Sequence, residues 1–320
     1  MLRYKNFSLI KPDQQQAAKI LDLIDSQNGS VFQEVALNEI VATQFGSELY
    51  YLVDSPENIS NFSPVHLVKD ALGVKRYHFK PLYDIPYAGF LNDEDIDFNK
   101  ISIGLMESFT YSGLPNYYDK GSNNSITKKG ETCIIDLNQD EDAIFENSIH
   151  SKRRNMIRKA IKSDITVQTF YDQKGLEFFW PMLEALHEKL GYSHLTSSYY
   201  TKLINEFGPQ KKAFISVAFK DNTPISGIFV LGNRNTLLYY KGASAYGFKN
   251  EGQGELLQWE AIKIAKSLGT KIYDLGNLQK ELLPAIYRFK TGISNRIIGY
   301  PVHANYGFGY KVITKVKAKI

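Results

Sequence analysis

The loop YGFKNEGQGELLQWEAIKIAKSLG places Lys249, Gly252 and Gly254 just before a stretch with helical spacing. Glycines let backbone N–H groups approach a ligand, and the first turn of a helix carries partial positive charge, a combination suited to a pyrophosphate. No Gly-Lys-Ser/Thr follows and no GxGxxG is present, which excludes a P-loop and a dinucleotide fingerprint. A plain strand-to-helix turn fits the same residues. A second group is cationic: six positive charges fall between Lys152 and Lys162. Arg154, Arg158 and Lys162 step along one side of a helix at i, i+4 and i+8, opposite Phe145, Ile149, Met156, Ala160 and Ile161. Three guanidinium groups, of Arg153, Arg154 and Arg158, lack an acidic i+4 partner and suit phosphate; a solvated basic face is the ordinary alternative.

A third group joins IYDLGN to AIYRFKTGI. Asp274 and Gly276 close a strand, where ligand crevices of α/β sheets commonly open. Lys290 follows Phe289, so an aromatic wall is available to desolvate a cation, although a surface lysine beside a core phenylalanine fits those few residues equally. The six histidines form no HExxH and no close pair with carboxylates, so no catalytic metal is expected. No GxSxG elbow occurs, and the single cysteine, Cys133, sits in an apolar strand pattern, which argues against a covalent route and excludes an intramolecular disulfide.

Elements to position these groups are readable from periodicity. Helices are predicted from Pro12–Asp13, from Glu34 to Gln44 and from Asp140 to Ser163, and strands at Leu49–Val53, Lys75–Lys80 and ETCIIDL. Residues 111–130, dense in Gly, Asn, Ser and Lys, read as a long exposed loop able to cover a site. Farther on, helices at Lys174–Leu190 and Ser197–Phe207 precede three strands, Ala213–Phe219, ISGIFVLG and TLLYYKGAS, joined by short turns as an antiparallel meander. A helix from Glu255 to Leu268, the strand KIYDLG and a final strand near Arg296–Val302 complete a βαβ step and a mixed sheet.

With 320 residues, 43% hydrophobic and 22% charged, the chain has room for about two domains. The boundaries expected are 1–140 and 141–320. No apolar run matches a signal-peptide core or the roughly 18 to 20 residues of a transmembrane helix, so a cytoplasmic location is expected. Thirty-eight basic against 34 acidic residues leave +4, too little to indicate nucleic acid alone, but Lys311, Lys315, Lys317 and Lys319 crowd the last ten residues as candidate phosphate contacts.

Taken in order, VFQE, IPYAGFL, ETCIIDL, RRNMIRKAIKSDITV, LLYYKGAS, GELLQWEAIKIAKSLGTKIYDLGN and AIYRFKTGI resemble the FemAB-like branch of the GNAT superfamily, whose members build peptidoglycan interpeptide bridges. The resemblance runs from about Val31 to about Gly299. It implies an α/β (α+β) fold of two packed GNAT-like domains, each a mixed, mainly antiparallel sheet with flanking helices. It also implies acyl or aminoacyl transfer to an amine without a metal or covalent intermediate. Phe289 and Lys290 match the family's Phe-Lys pair, Arg154 and Arg158 its basic helix near acceptor phosphates, and Tyr239 and Asp274 its strand motifs. Two features depart from bridge-forming members. Ala36 and Leu37 stand where a Trp often follows the Phe-Gln pair, and no long charged helical hairpin is present. KNEGQG resembles instead the Arg/Gln-x-x-Gly-x-Gly loop of acyl-CoA enzymes, with Lys249 first.

The expected activity is N-acyl transfer from acyl-CoA, a co-substrate rather than a tightly bound cofactor, to an amine of a cell-envelope or polysaccharide precursor. Lys290 would polarise the carbonyl, Asp274 or a water relay would take the amine proton, and Tyr287 would protonate a leaving thiolate. Arg154, Arg158, Tyr239 and Phe289 would bind a phosphate-bearing or lipid-linked acceptor. Transfer of an amino acid from aminoacyl-tRNA to a stem peptide is the second expectation, and a binding module of the same fold the third.

Overall fold

The computed structural model describes residues 2–70, 73–81, 85–117, 129–191 and 195–317. The chain folds as two units, Met1–Gly130 together with Gly299–Ile320, and Glu131–Ile298.

In the first unit, β1 (Ser8–Ile10) leads to α1 (Gln14–Ser26) and α2 (Val35–Phe45). Asp13 starts α1 with a reciprocal cap: its carboxylate accepts from the Gln16 backbone N–H at 2.8 Å, and the Gln16 side chain accepts from the Asp13 N–H at 3.1 Å. β2 (Glu48–Val53), β3 (Phe62–Lys69) and β4 (Lys75–Phe79) form an antiparallel run, and β5 (Glu107–Ser112) pairs with β4 in parallel. The alternation that would announce β3 and β5 is weak because both are buried along most of their length. Of the expected loop 111–130, residues 111 and 112 belong to β5 and Tyr111, Ser112 and Gly113 are buried, so that stretch is strand and core. Residues 118–128 of the same loop lie outside the described residues.

The second unit begins with β6 (Lys129–Asp136). The single helix expected over 140–163 is divided: α3 (Glu141–Ala143) passes into a π turn, Ile149 is extended, and α4 (Ser151–Lys162) restarts at His150, whose ring nitrogen accepts from the Lys152 N–H at 3.2 Å. This break shifts the helical phase. Ile157 and Ala160 face the core, whereas Ile161, expected on the packed arc, is 56% exposed. There follow β7 (Thr166–Phe170), α5 (Gln173–Leu190), α6 (Ser197–Phe207) and the expected meander of β8 (Ala213–Lys220), β9 (Thr223–Gly232) and β10 (Thr236–Ser244). α7 (Gln253–Ser267) crosses over to β11 (Ile272–Asn277), which is parallel to β10 and antiparallel to β6. α8 (Pro284–Ile293), with Pro284 in its first turn, covers AIYRFKTGI. The unit's core packs α4 and α7 on the sheet through Ile157, Ala160, Leu257, Ala261, Tyr273 and Leu275.

Finally β12 (Ile297–Tyr306) pairs with β5, and α9 (Phe308–Lys317) follows in the first unit. The expected division at residue 140 therefore differs from the one observed. β6 is already a strand of the second unit's sheet, and the register of β12 with β5 gives the last segment to the first unit. Both sheets are mixed and mainly antiparallel, with flanking helices. Among the described residues no helix is long and apolar enough to cross a membrane.

Candidate functional site

The second unit's sheet opens between its two parallel strands. β10 and β11 pair through Thr236–Ile272, Leu237–Tyr273 and Leu238–Asp274, and the ladder ends there. Against β9, β10 bulges between Tyr239 and Lys241; against β6, the register of β11 shifts between Asp274 and Asn277. Because α7 is the crossover joining these strands, its N-terminus lies at the carboxyl end of β10, the end at which they part.

The start of α7 is built for close approach. Gly252 is its cap residue at φ +96°, and a Cβ there would meet the Met156 carbonyl oxygen at 2.1 Å, so only glycine fits between this turn and α4. The loop is pinned by Lys220 on Glu251, by the Glu251 N–H on Gln253 Oε1 at 2.8 Å and by the Gly252 N–H on Asn250 Oδ1 at 3.0 Å. No side chain caps α7. Among the described residues the N–H groups of Gln253, Gly254 and Glu255 have no acceptor, as the first turn of a helix dictates. A Cβ on Gly254 would lie 3.7 Å from the Phe289 ring, which places that ring against the same turn. Lys249 stands exposed at the head of the loop.

Arg153 ties these pieces together. Its guanidinium pairs with the buried Glu255 carboxylate of α7 at 2.6 Å, donates to the Arg288 carbonyl of α8 at 3.0 Å and lies 5.4 Å from the Phe289 ring centroid. A Cβ on Gly292 would come within 2.7 Å of Arg153 Nε, so the clamp also depends on that glycine. α4, α7 and α8 thus meet on one side chain.

Lys290 is half-buried and donates to the Asn277 carbonyl at 3.0 Å. Its ammonium also lies 5.8 Å from the Tyr239 ring centroid. The bond to Asn277 is its one side-chain hydrogen bond among the described residues, so two of its three N–H donors have no acceptor there. Burial holds its pKa below the ordinary lysine value; Cys133 and Asp274 nearby favour the charged form and Lys241 opposes it. Asp274 is fully buried, and its Oδ1 accepts from the Thr132 hydroxyl and from the Gly276 N–H at 2.7 Å. Burial pushes Tyr239 up to about 12 and Cys133 up to about 12, so both are protonated at neutral pH. Tyr287 is half-buried, with Lys280 5.9 Å from its ring centroid.

Of the residues expected from sequence, the fold brings Lys290, Tyr239 and Asp274 to the parting strands, and Gly254 and Phe289 to one helix turn. Arg154 and Arg158 meet on one carboxylate, that of Glu146, while Arg153 pairs with Glu255. Arg154 donates to the Glu146 and Ile149 carbonyls, both at 2.7 Å, and pairs with Glu146 at 3.2 Å. Arg158 is 51% exposed and pairs with Glu146 at 3.4 Å. The acids absent at i+4 are supplied by the π turn and by α7. Thr132, Asn277 and Glu255 join these contacts without a sequence signal, since a strand threonine, a backbone acceptor and a first-turn glutamate look ordinary until their partners are placed.

Residues 151–291 match the acetyltransferase (GNAT) domain family. No curated protein matches the sequence. Among solved structures the chain is similar to FemX, at 12% identity over 97% of this chain and 99% of that one, with a TM-score of 0.69. It is also similar to a conserved protein of unknown function from Bacteroides thetaiotaomicron VPI-5482 (9% identity, 95% and 99% covered, TM-score 0.55). A third similar structure is L-PGS from Bacillus licheniformis (14% identity, 96% of each chain, TM-score 0.52). At these identities the likeness is one of fold, and for FemX it extends over nearly the whole chain.

Proposed function

We propose that this chain, with a FemX-like fold and a segment matching the GNAT acetyltransferase domain, transfers an acyl group from acyl-CoA to an amine of a cell-envelope or polysaccharide precursor. The observation that carries the reading is the half-buried Lys290 ammonium, with two donors to spare among the described residues, on the same unit as an uncapped helix start and a parted strand pair. The first-turn N–H groups of α7 and the exposed Lys249 take the pyrophosphate. Lys290 directs its spare donors at the carbonyl oxygen, where negative charge grows as the amine attacks. The thioester already carries an activated leaving group, so positioning and electrostatics supply the rest.

Asp274 holds the Gly276 turn and favours the charged form of Lys290. Its full burial and its bonds favour that role over proton removal, which falls to water. Tyr239, protonated and beside Lys290, is better placed than Tyr287 to return a proton to the leaving thiolate. On α4, the exposed Arg158, with Lys152, Lys159 and Lys162, faces solvent and suits acceptor phosphates; Arg153 and Arg154 hold the scaffold. An aminoacyl-tRNA donor is the second reading, favoured by the FemX-like fold running through both units.

Melting of the purified protein with acetyl-CoA, and separately with aminoacyl-tRNA at two salt concentrations, separates these readings. A ligand at about 100 times its Kd adds roughly 2.7 kcal/mol. A shift with the coenzyme that Gly254→Trp abolishes supports acyl-CoA. A shift only with charged tRNA that fades with salt moves the donor to RNA, and no shift with either leaves a binding module of the same fold.

A further inference from the structure

In the first unit, two of the three most exposed large apolar side chains among the described residues share one patch: Phe308 at 74% and Leu105 at 71%, against 76% for Leu282 in the second unit. Their backbones adjoin. The Tyr310 N–H donates to the Leu105 carbonyl at 3.1 Å, the Gly307 N–H to the Glu107 carbonyl at 2.8 Å, and a Cβ on Gly307 would meet the Leu105 carbonyl at 2.5 Å. The start of α9 is thus fixed against the loop before β5 by main-chain bonds that leave both side chains in solvent. Val312, 48% exposed and one turn on from Phe308, extends the apolar stripe. Scattered exposed leucines need no explanation, but a contiguous apolar stripe does.

The surrounding charge indicates what covers it. Between Gly307 and Ile320 there is no acidic residue, while Lys311, Lys315 and Lys317 fall within α9. Lys311 is exposed, and so is Arg3, whose N–H donates to the Ser102 carbonyl at 3.0 Å just ahead of the Leu105 loop. A helix start with Phe308 and Val312 exposed, in a sequence segment whose charges are all basic, is suited to an interface that is apolar inside and anionic at its rim. A second copy of this patch would bring like charges together. RNA would satisfy the lysines and leave Leu105 and Val312 with nothing to bury against.

We propose that α9 and the Leu105 loop form an interfacial docking surface for an anionic lipid bilayer, with Phe308, Leu105 and Val312 entering the headgroup boundary and the net positive charge of the segment, with Arg3, attracting it to lipid phosphates. This stands independently of acyl transfer. The test is co-sedimentation of the full chain with phosphatidylcholine vesicles and with vesicles containing about 30% phosphatidylglycerol, at low and high salt. Binding is expected to the anionic vesicles alone and to weaken with salt. It should fall about fivefold for each of Lys311, Lys315 and Lys317 changed to Gln, the affinity equivalent of about 1 kcal/mol per cation. The double variant Leu105→Ser/Phe308→Ser is expected to lose binding at all salts, with unchanged melting temperature and unchanged turnover on a soluble acceptor. Val312→Asp provides a second variant should the double change disturb folding. Failure to bind anionic vesicles at low salt would overturn the proposal, as would binding indifferent to Leu105, Phe308 and Val312. Capture of tRNA by the same lysines without vesicle binding would replace it with an RNA surface.

Discussion

The two units bury ionisable groups in contrasting ways. In the first, His66 is fully buried, with one ring nitrogen 2.9 Å from Asn38 Oδ1 and the other 2.9 Å from Ser47 Oγ, and burial pushes it down to about 3. Tyr111 donates to Asp93 at 2.8 Å, and His78 sits 2.9 Å from the Thr110 hydroxyl. Each of these groups is closed by a neighbour, as a scaffold requires. In the second unit the Lys290 ammonium is desolvated and, among the described residues, makes one hydrogen bond and has two donors left over. Burial is common to both units; what sets Lys290 apart from these groups is a charged head with unused hydrogen-bonding capacity among the described residues.

That contrast can be broken by removing single partners. The largest stability effect is expected at Arg153→Met, which leaves Glu255 buried and unpaired and should cost about 3 kcal/mol by denaturant unfolding, with much of it recovered in Arg153→Met/Glu255→Leu. His66→Leu should follow at about 2 kcal/mol, because Asn38 and Ser47 each lose a buried partner, while turnover per folded molecule stays unchanged. Gly252→Ala should cost about 1 to 2 kcal/mol and weaken coenzyme binding, whereas Gly254→Ala, whose Cβ would make an ordinary contact with Phe289, should lie within about 0.5 kcal/mol of wild type.

Most gradual is the acid response. With folded values near 3 for His66 and near 4 for His78 against an ordinary 6.5, the unfolded chain binds more protons in that window. Their contribution to stability is complete above pH 6.5 and is lost as pH falls toward 3 to 4. His66→Leu should flatten the loss in a melting series.

Much of this contrast was legible in the sequence, but not evenly. The meander, α7 and the parallel step to β11 follow from apolar periodicity and turn residues, and KNEGQG marked the helix start that only Gly252 can cap. The break at Ile149–His150 was not legible, because the apolar spacing of 140–163 continues through it and the His150 N–H is drawn off by the Gly292 carbonyl at 2.9 Å, more than a hundred residues away. The arginine run was visible and its use was not. Whether a guanidinium serves a ligand or a neighbour depends on Glu146 and Glu255, which only the tertiary fold delivers. Likewise, a lysine after a phenylalanine looks ordinary until β11 and α8 place it beside Asn277 and Tyr239.

The central claim is that Lys290 is held, at a cost in stability, for the charge that grows on the carbonyl oxygen. Its pKa is lowered in the folded state, so the unfolded chain binds more protons between that value and 10.5, and stability in this window rises with pH. The most direct test is release of free thiol from acetyl-CoA in the presence of an amine-bearing envelope precursor, comparing wild type with Lys290→Met. The account predicts a fall in kcat of about a hundredfold to a thousandfold, coenzyme affinity within about threefold and a melting temperature unchanged or raised. Wild-type turnover in the variant, or a loss explained wholly by unfolding, would contradict it.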